Sequence, residues 1–233
     1  MMLGPLHYLP LLSTLLAAAF AARLFAHWRR RGGWHLLWWA WGMVAYGAGT
    51  ALESIITLMG NSALLNTSWY IAGAVLGGYP LAQGSVWFLF PPLLARRLTL
   101  ISAPVVVLVG LAVALSPVDV ASLEAHLPSG DALEWQWVRA FTPLINGYAA
   151  LFLIGGAIYS ARKYARAANR RPAVGNALIA LGALLPGIGG AMAKGGLVIA
   201  LYVGELLGLP LIWLGYLACT GRGADQIRER RSS

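Results

Sequence analysis

The stretch WHLLWWAWGMVAYGAGTALES, residues 34–54, decides the fold. Trp34, Trp38, Trp39 and Trp41 are followed by Gly42, Gly47 and Gly49, and the only formally charged side chain is Glu53. No helical spacing through it gives a polar face, and a helix apolar all round belongs in a core or a bilayer. The whole chain points to the bilayer. Its 233 residues are 59% hydrophobic and 11% charged, against about 25% charged in ordinary globular domains. The mean hydropathy is +0.69.

A hydrocarbon span needs about 20 apolar residues. Working outward from residues 34–59, seven segments are expected: 8–27, 34–59, 69–95, 99–116, 140–161, 174–193 and 196–218. Each must be helical, because backbone groups in lipid need partners within their own segment. The alternation of a membrane-barrel strand is absent. The expected fold is therefore an all-α seven-transmembrane-helix bundle.

Charge sets the orientation. Arg23, Arg29, Arg30 and Arg31 accompany the end of the first span, and Arg96 and Arg97 follow the third. Arg162, Lys163, Arg166, Arg170 and Arg171 follow the fifth, and Arg222, Arg228, Arg230 and Arg231 follow the last. The opposite side carries only Arg139 and Lys194, and its loop 117–139 holds Asp119, Glu124, Asp131 and Glu134. The positive-inside rule puts the N-terminus outside and the C-terminus in the cytoplasm. The net charge of +9 is then topology and attraction to anionic headgroups, not nucleic-acid binding. The first apolar stretch lacks a positive leader and has its arginines after it, as an uncleaved span does. A lone Cys219 excludes a disulfide framework and a cysteine metal site, and it sits at the inner membrane edge, where acylation is conceivable. A multi-pass protein of the cell membrane, bacterial inner membrane by composition, is the expectation.

The chain also resembles itself. FAARLFA from Phe20 matches YSARKYA from Tyr159, with Arg23 on Arg162. Gly42, Gly47, Gly49 and Ala51 fall on Gly182, Gly187, Gly189 and Ala191. LGGYPL falls on LLGLPL, so Pro80 meets Pro210, and Pro5-Leu6 resembles Pro143-Leu144. The reading is a 3+1+3 parallel internal repeat: residues 1–97, a linker helix and acidic outer loop at 98–139, a second repeat at 140–218, and a basic tail at 219–233. Over nearly the whole chain this layout is similar in topology to the SWEET sugar carriers, related vitamin carriers and microbial rhodopsins. The proline-glutamine motif of the SWEET-like families is missing, and no lysine lies in 196–218 to hold retinal, Lys194 coming just before it.

An ionisable group inside a bilayer marks function by default. Glu53 lies about 9 Å, roughly 6 residues, from the outer end of its span, and Glu205 is near the middle of the seventh. Tyr79 and Gln83 fall mid-way along the third, Asn146 and Tyr148 in the outer half of the fifth, and Tyr202 three residues before Glu205. A polar cavity open to the outside is expected, lined by Glu53, Tyr79, Gln83, Asn146, Tyr202 and Glu205. Glu53 and Lys194, nearly equivalent in the repeat, would form an ion pair or gate at its mouth. Trp34, Trp38 and Trp41 form an aromatic stripe for packing or for a hydrophobic ligand. Asn66-Thr67-Ser68 is a glycosylation sequon in an outer loop. No metal-ligand spacing, catalytic triad or nucleotide-binding loop is present, so no metal, cofactor or enzymatic activity is expected. The first functional reading is a carrier- or channel-like protein handling a small solute or ion. The alternatives are a small-molecule sensor acting through a partner chain and an accessory subunit of a membrane complex. The expected partners are the bilayer, a small ligand or ion, and another membrane protein or a second copy.

Overall fold

The computed structural model describes residues 8–195 and 197–221, the side chain of Lys194 excepted. Pro5, Leu6 and His7, and the arginines of the tail from Arg222 onward, lie outside the described residues. Those described are helical, with no strand among them. Six helices are long and apolar enough to cross a membrane. The described residues pack as two compact units that divide after Leu153.

In the first unit, α1 (Leu9–Arg31) and α2 (Trp34–Met59) form a hairpin. The turn is Gly32-Gly33, both at positive φ, a conformation glycine adopts without steric cost. The expected third span, 69–95, is not one helix. α3 (Ala63–Trp69) runs into a π-helical segment, Tyr70–Val75, then the chain breaks and restarts as α4 (Tyr79–Leu89). Pro80 stands in the first turn of α4. Without an N–H it cannot donate to the carbonyl of Leu76, and Gly77-Gly78 just before it are poor helix formers. Pro210, with one nearby glycine in place of two, leaves its own helix continuous. The two prolines matched by the repeat therefore act differently.

α5 (Pro92–Leu115) begins after Phe90, which is extended as residues before proline tend to be. The loop that follows is ordered. Val118 and Leu133 form an antiparallel bridge, and short 3₁₀ turns lie at Val120–Ser122 and Gly130–Ala132. It leads through α6 (Gln136–Arg139) to α7 (Phe141–Ala149). The core joins Tyr70, Val75 and Tyr79 to Val106, Val109 and Val113 of α5, Leu133 of the loop, Val138 and Ile145. A second π-helical segment, Ala150–Gly155, spans the division between the units.

The second unit contains α8 (Gly156–Arg166), α9 (Arg170–Lys194) and α10 (Val198–Thr220). α9 and α10 pack backbone to backbone. Gly175, Gly182 and Gly189, seven residues apart, face Gly215, Gly208 and Ala200. A Cβ on Gly208 would stand 2.4 Å from the Gly182 carbonyl oxygen, and one on Gly215 2.4 Å from that of Gly175. Only glycine permits this approach, the device that small residues supply between membrane helices. At the far end Asn176 Nδ2 donates to the Pro172 carbonyl at 2.8 Å and lies 3.4 Å from Cys219 Sγ. That thiol is packed into the helix pair rather than presented for acylation.

Candidate functional site

Two polar clusters are built inside the first unit. The first is a stripe on α2. Thr50, Glu53, Ser54 and Thr57 recur at one helical face, and all four are buried, Glu53 to 2% exposure. Thr14 of α1 faces them, its Oγ1 2.9 Å from that of Thr50. The hydroxyls are tied to their own helices: Thr14 to the Pro10 carbonyl at 2.8 Å and Ser54 to that of Thr50 at 2.8 Å. Such back-bonding satisfies a hydroxyl within an apolar span without a second helix. Glu53 thus lies on a buried face that also carries three hydroxyl side chains, and a carboxyl group with oxygen donors on the same face is the chemistry that can bind a proton or a hard cation.

The Thr57 end of that stripe meets the loop between α5 and α6. His126 of the loop donates through Nδ1 to the Thr57 carbonyl at 3.1 Å. Asn61, just past α2, donates through Nδ2 to the carbonyls of Glu124 and Leu127, at 3.2 and 3.1 Å. Its backbone N–H donates to Ala125 at 2.8 Å. Asn66 is fully buried. Its Nδ2 donates to the Ser129 carbonyl at 2.8 Å, and its Oδ1 accepts from the Ser129 N–H at 2.9 Å. A glycan on that nitrogen has no room and would take a hydrogen bond from the loop, so the sequon is a structural clamp.

The second cluster centres on Gln83, which has no exposed surface. Its Nε2 donates to Thr99 Oγ1, and its Oε1 accepts from the Tyr148 hydroxyl at 2.7 Å. Thr99 also accepts from Trp87 Nε1 at 3.0 Å and donates to the Ala95 carbonyl at 2.8 Å. That uses both lone pairs and the single proton of its hydroxyl. One turn away Tyr79 and Ser102 pair through their hydroxyls at 2.8 Å. The network joins α4, α5 and α7, carries no formal charge, and is walled by rings: Trp38 on Tyr79, Trp34 on Trp87, and Tyr79 on Tyr148, with centroids 6.1, 5.8 and 5.9 Å apart.

The expected site residues divide as follows. Tyr79 and Gln83 come together, with Thr99, Ser102, Trp87 and Tyr148 added. Asn146 does not join them; it lies exposed on α7, while Tyr148 two residues later makes the contact. Glu53 lies in the separate stripe. Tyr202 and Glu205 belong to α10 of the second unit, Tyr202 buried and Glu205 half-buried. Lys194 ends α9. The tryptophan stripe also divides: Trp34 and Trp38 wall the Gln83 network, whereas Trp41 is exposed and meets Phe25 edge-on at 5.7 Å. Among the described residues no three His, Cys, Asp or Glu side chains group to hold a metal ion. Comparison with known protein families, characterised proteins and solved structures finds no match.

Proposed function

We propose that the chain is a carrier- or channel-like membrane protein that moves a small solute or ion, with Glu53 and Glu205 as its intramembrane carboxyl groups. The burial of Glu53, on a helix face shared with Thr50, Ser54 and Thr57 within an apolar span, carries the reading. A charged residue costs about 2.5–3.5 kcal/mol on insertion at mid-span, where Glu205 lies, and less toward the span end, where Glu53 lies; such residues are retained where they bind or relay charge. The broken third segment is a second support. Discontinuous helices interrupted by glycine and proline are the backbone feature of transport sites, and π-helical turns concentrate at functional positions.

In this reading α3, the π-helical segment and α4 together make the seventh crossing, and the N-terminus is outside. The parallel repeat has support within each unit taken by itself. A Cβ on Gly42 would strike the Leu81 backbone nitrogen and side chain, and one on Gly49 the backbone of Gly73. Their matched residues Gly182 and Gly189 meet Gly208 and Ile212, and Ala200 and Leu201. In both halves the second helix presents glycines seven residues apart to the third, at nearly the same register.

The test is flux into proteoliposomes under a proton or sodium gradient, with pH and sodium indicators inside. Glu53→Gln and Glu205→Gln are expected to lower wild-type flux at least tenfold while the proteins stay monodisperse in detergent. A wild-type chain that passes no ion or solute across the bilayer removes the reading. Flux untouched by both substitutions removes the glutamates from it.

A further inference from the structure

The loop over the Glu53 stripe has two kinds of attachment. Its ends are anchored. The Val118–Leu133 bridge, Asp119 N–H to the Ala132 carbonyl at 2.9 Å and Glu134 N–H to that of Pro117 at 3.0 Å close its base. Ala132 and Leu133 are completely buried, and Arg139 pairs with Asp131. Between these anchors runs a strap, residues 120–128, whose side chains are mostly exposed. Its tethers to the helices are polar: the three hydrogen bonds of Asn61 and the one from His126 to Thr57. Hydrogen bonds of this kind exchange for water at small net cost, whereas the buried base does not. A segment with few buried apolar contacts and solvent-exchangeable bonds opens locally well before the fold does.

We propose that the strap is a gate over the outer end of the Glu53 stripe, latched by Asn61 and His126 and hinged at its two ends, at Asp119 beside the Val118–Leu133 bridge and at Ser129, which Asn66 holds. Thr57, which His126 holds, is one helical turn beyond Glu53 and one face with it. Lifting the strap therefore uncovers the stripe from the loop side without disturbing the core around Leu133. The inference deepens the transport reading, on which its purpose rests, but it concerns access and is measured without flux.

The test uses the full chain with Cys219→Ser and a single reporter, Ser54→Cys, at a position 1% exposed. The rate of modification by a small, positively charged methanethiosulfonate is followed in detergent, with Ser122→Cys on the exposed strap as the reference. With the latch intact, Ser54→Cys is expected to react at least a hundredfold slower than the reference. Asn61→Asp, which keeps the size of the side chain and removes its donors, is expected to raise the rate tenfold or more. His126→Ala, a change at an exposed side chain that leaves the base intact, is expected to do the same should Asn61→Asp fail to fold. Rates unchanged in monodisperse latch variants, or a reporter as reactive as the reference from the start, overturn the gate. Reactivity that responds to the latch in a protein without flux keeps the gate and removes transport. Flux with an unresponsive reporter removes the gate alone.

Discussion

Gln83 shows what a single side chain does in this interior. A carboxamide between an acceptor hydroxyl and a donor phenol satisfies three helices at once, and in a low-dielectric setting each unmet group is costly. Gln83→Leu keeps the volume but leaves the Tyr148 hydroxyl without its acceptor. It is expected to destabilise the protein by about 1–3 kcal/mol, read as a lower midpoint of thermal unfolding in detergent. Tyr148→Phe, which removes the stranded donor too, is expected to recover much of that loss in the Gln83→Leu background. A double variant no better than the single one argues that the two side chains do not work as a pair. The sequence pointed to Gln83 and Tyr79 by polarity and depth. It placed Asn146 beside them by the same rule, and there polarity was the wrong guide. On α7 the buried positions are Thr142, Ile145 and Ala149; Asn146 is exposed although its helical spacing puts it beside them, and Tyr148 reaches Gln83 with its long side chain from the flank of that face. Thr99 and Ser102 are not marked in the sequence, because hydroxyls are common in apolar helices and carry no signal apart from their partners.

Elements were legible to the extent that apolarity defines them. Long runs such as 34–59 appear as helices because lipid leaves the backbone no alternative. The break at Leu76–Gly78 was harder to foresee. Pro80 and Pro210 look alike in sequence, and the difference lies in Gly77-Gly78 beside the one and in the tight helix pair that braces the other. The role of that pair can be tested by paired substitutions. Gly208→Ala sets a methyl group 2.4 Å from a backbone oxygen, so α9 and α10 must separate. A cost of about 1–3 kcal/mol, typical of overpacking, is expected. Gly190 on the same helix pair meets nothing within 4 Å. Gly190→Ala is expected to be neutral or to stabilise by about 0.5–1 kcal/mol through its better helix propensity. Unfolding of the two variants side by side in detergent separates them. Equal effects would mean that the close approach contributes nothing specific.

At the scale of the whole molecule the proposed topology rests on the arginines, which by the positive-inside rule would choose one arrangement among those the helices allow. The basic clusters at 29–31, 96–97 and 162–171 lie on both sides of the acidic loop 117–139 in the sequence, so the expected bias rests on several turns rather than on one. The clasp of that loop was invisible in the sequence for a different reason. Asn61 and Asn66 meet partners more than 60 positions away, and nothing local marks such pairs, although two asparagines in one short segment before an ordered helix are a hint. If the charges orient the chain as argued, the strap faces outside and the turn between α8 and α9 faces the cytoplasm. Single cysteines at Ser122 and Ala167, both exposed, in the Cys219→Ser background, report the two faces. In intact cells an impermeant maleimide is expected to label Ser122→Cys at once and Ala167→Cys only after the membrane is permeabilised. The reverse pattern would place the arginines outside and invert the direction in which Glu53 is reached. Labelling of both sites in intact cells would mean an even number of crossings between them. Only the run Gln136–Arg166 lies between the two reporters, so that run, with its π-helical segment Ala150–Gly155, would then not cross the bilayer as a single span.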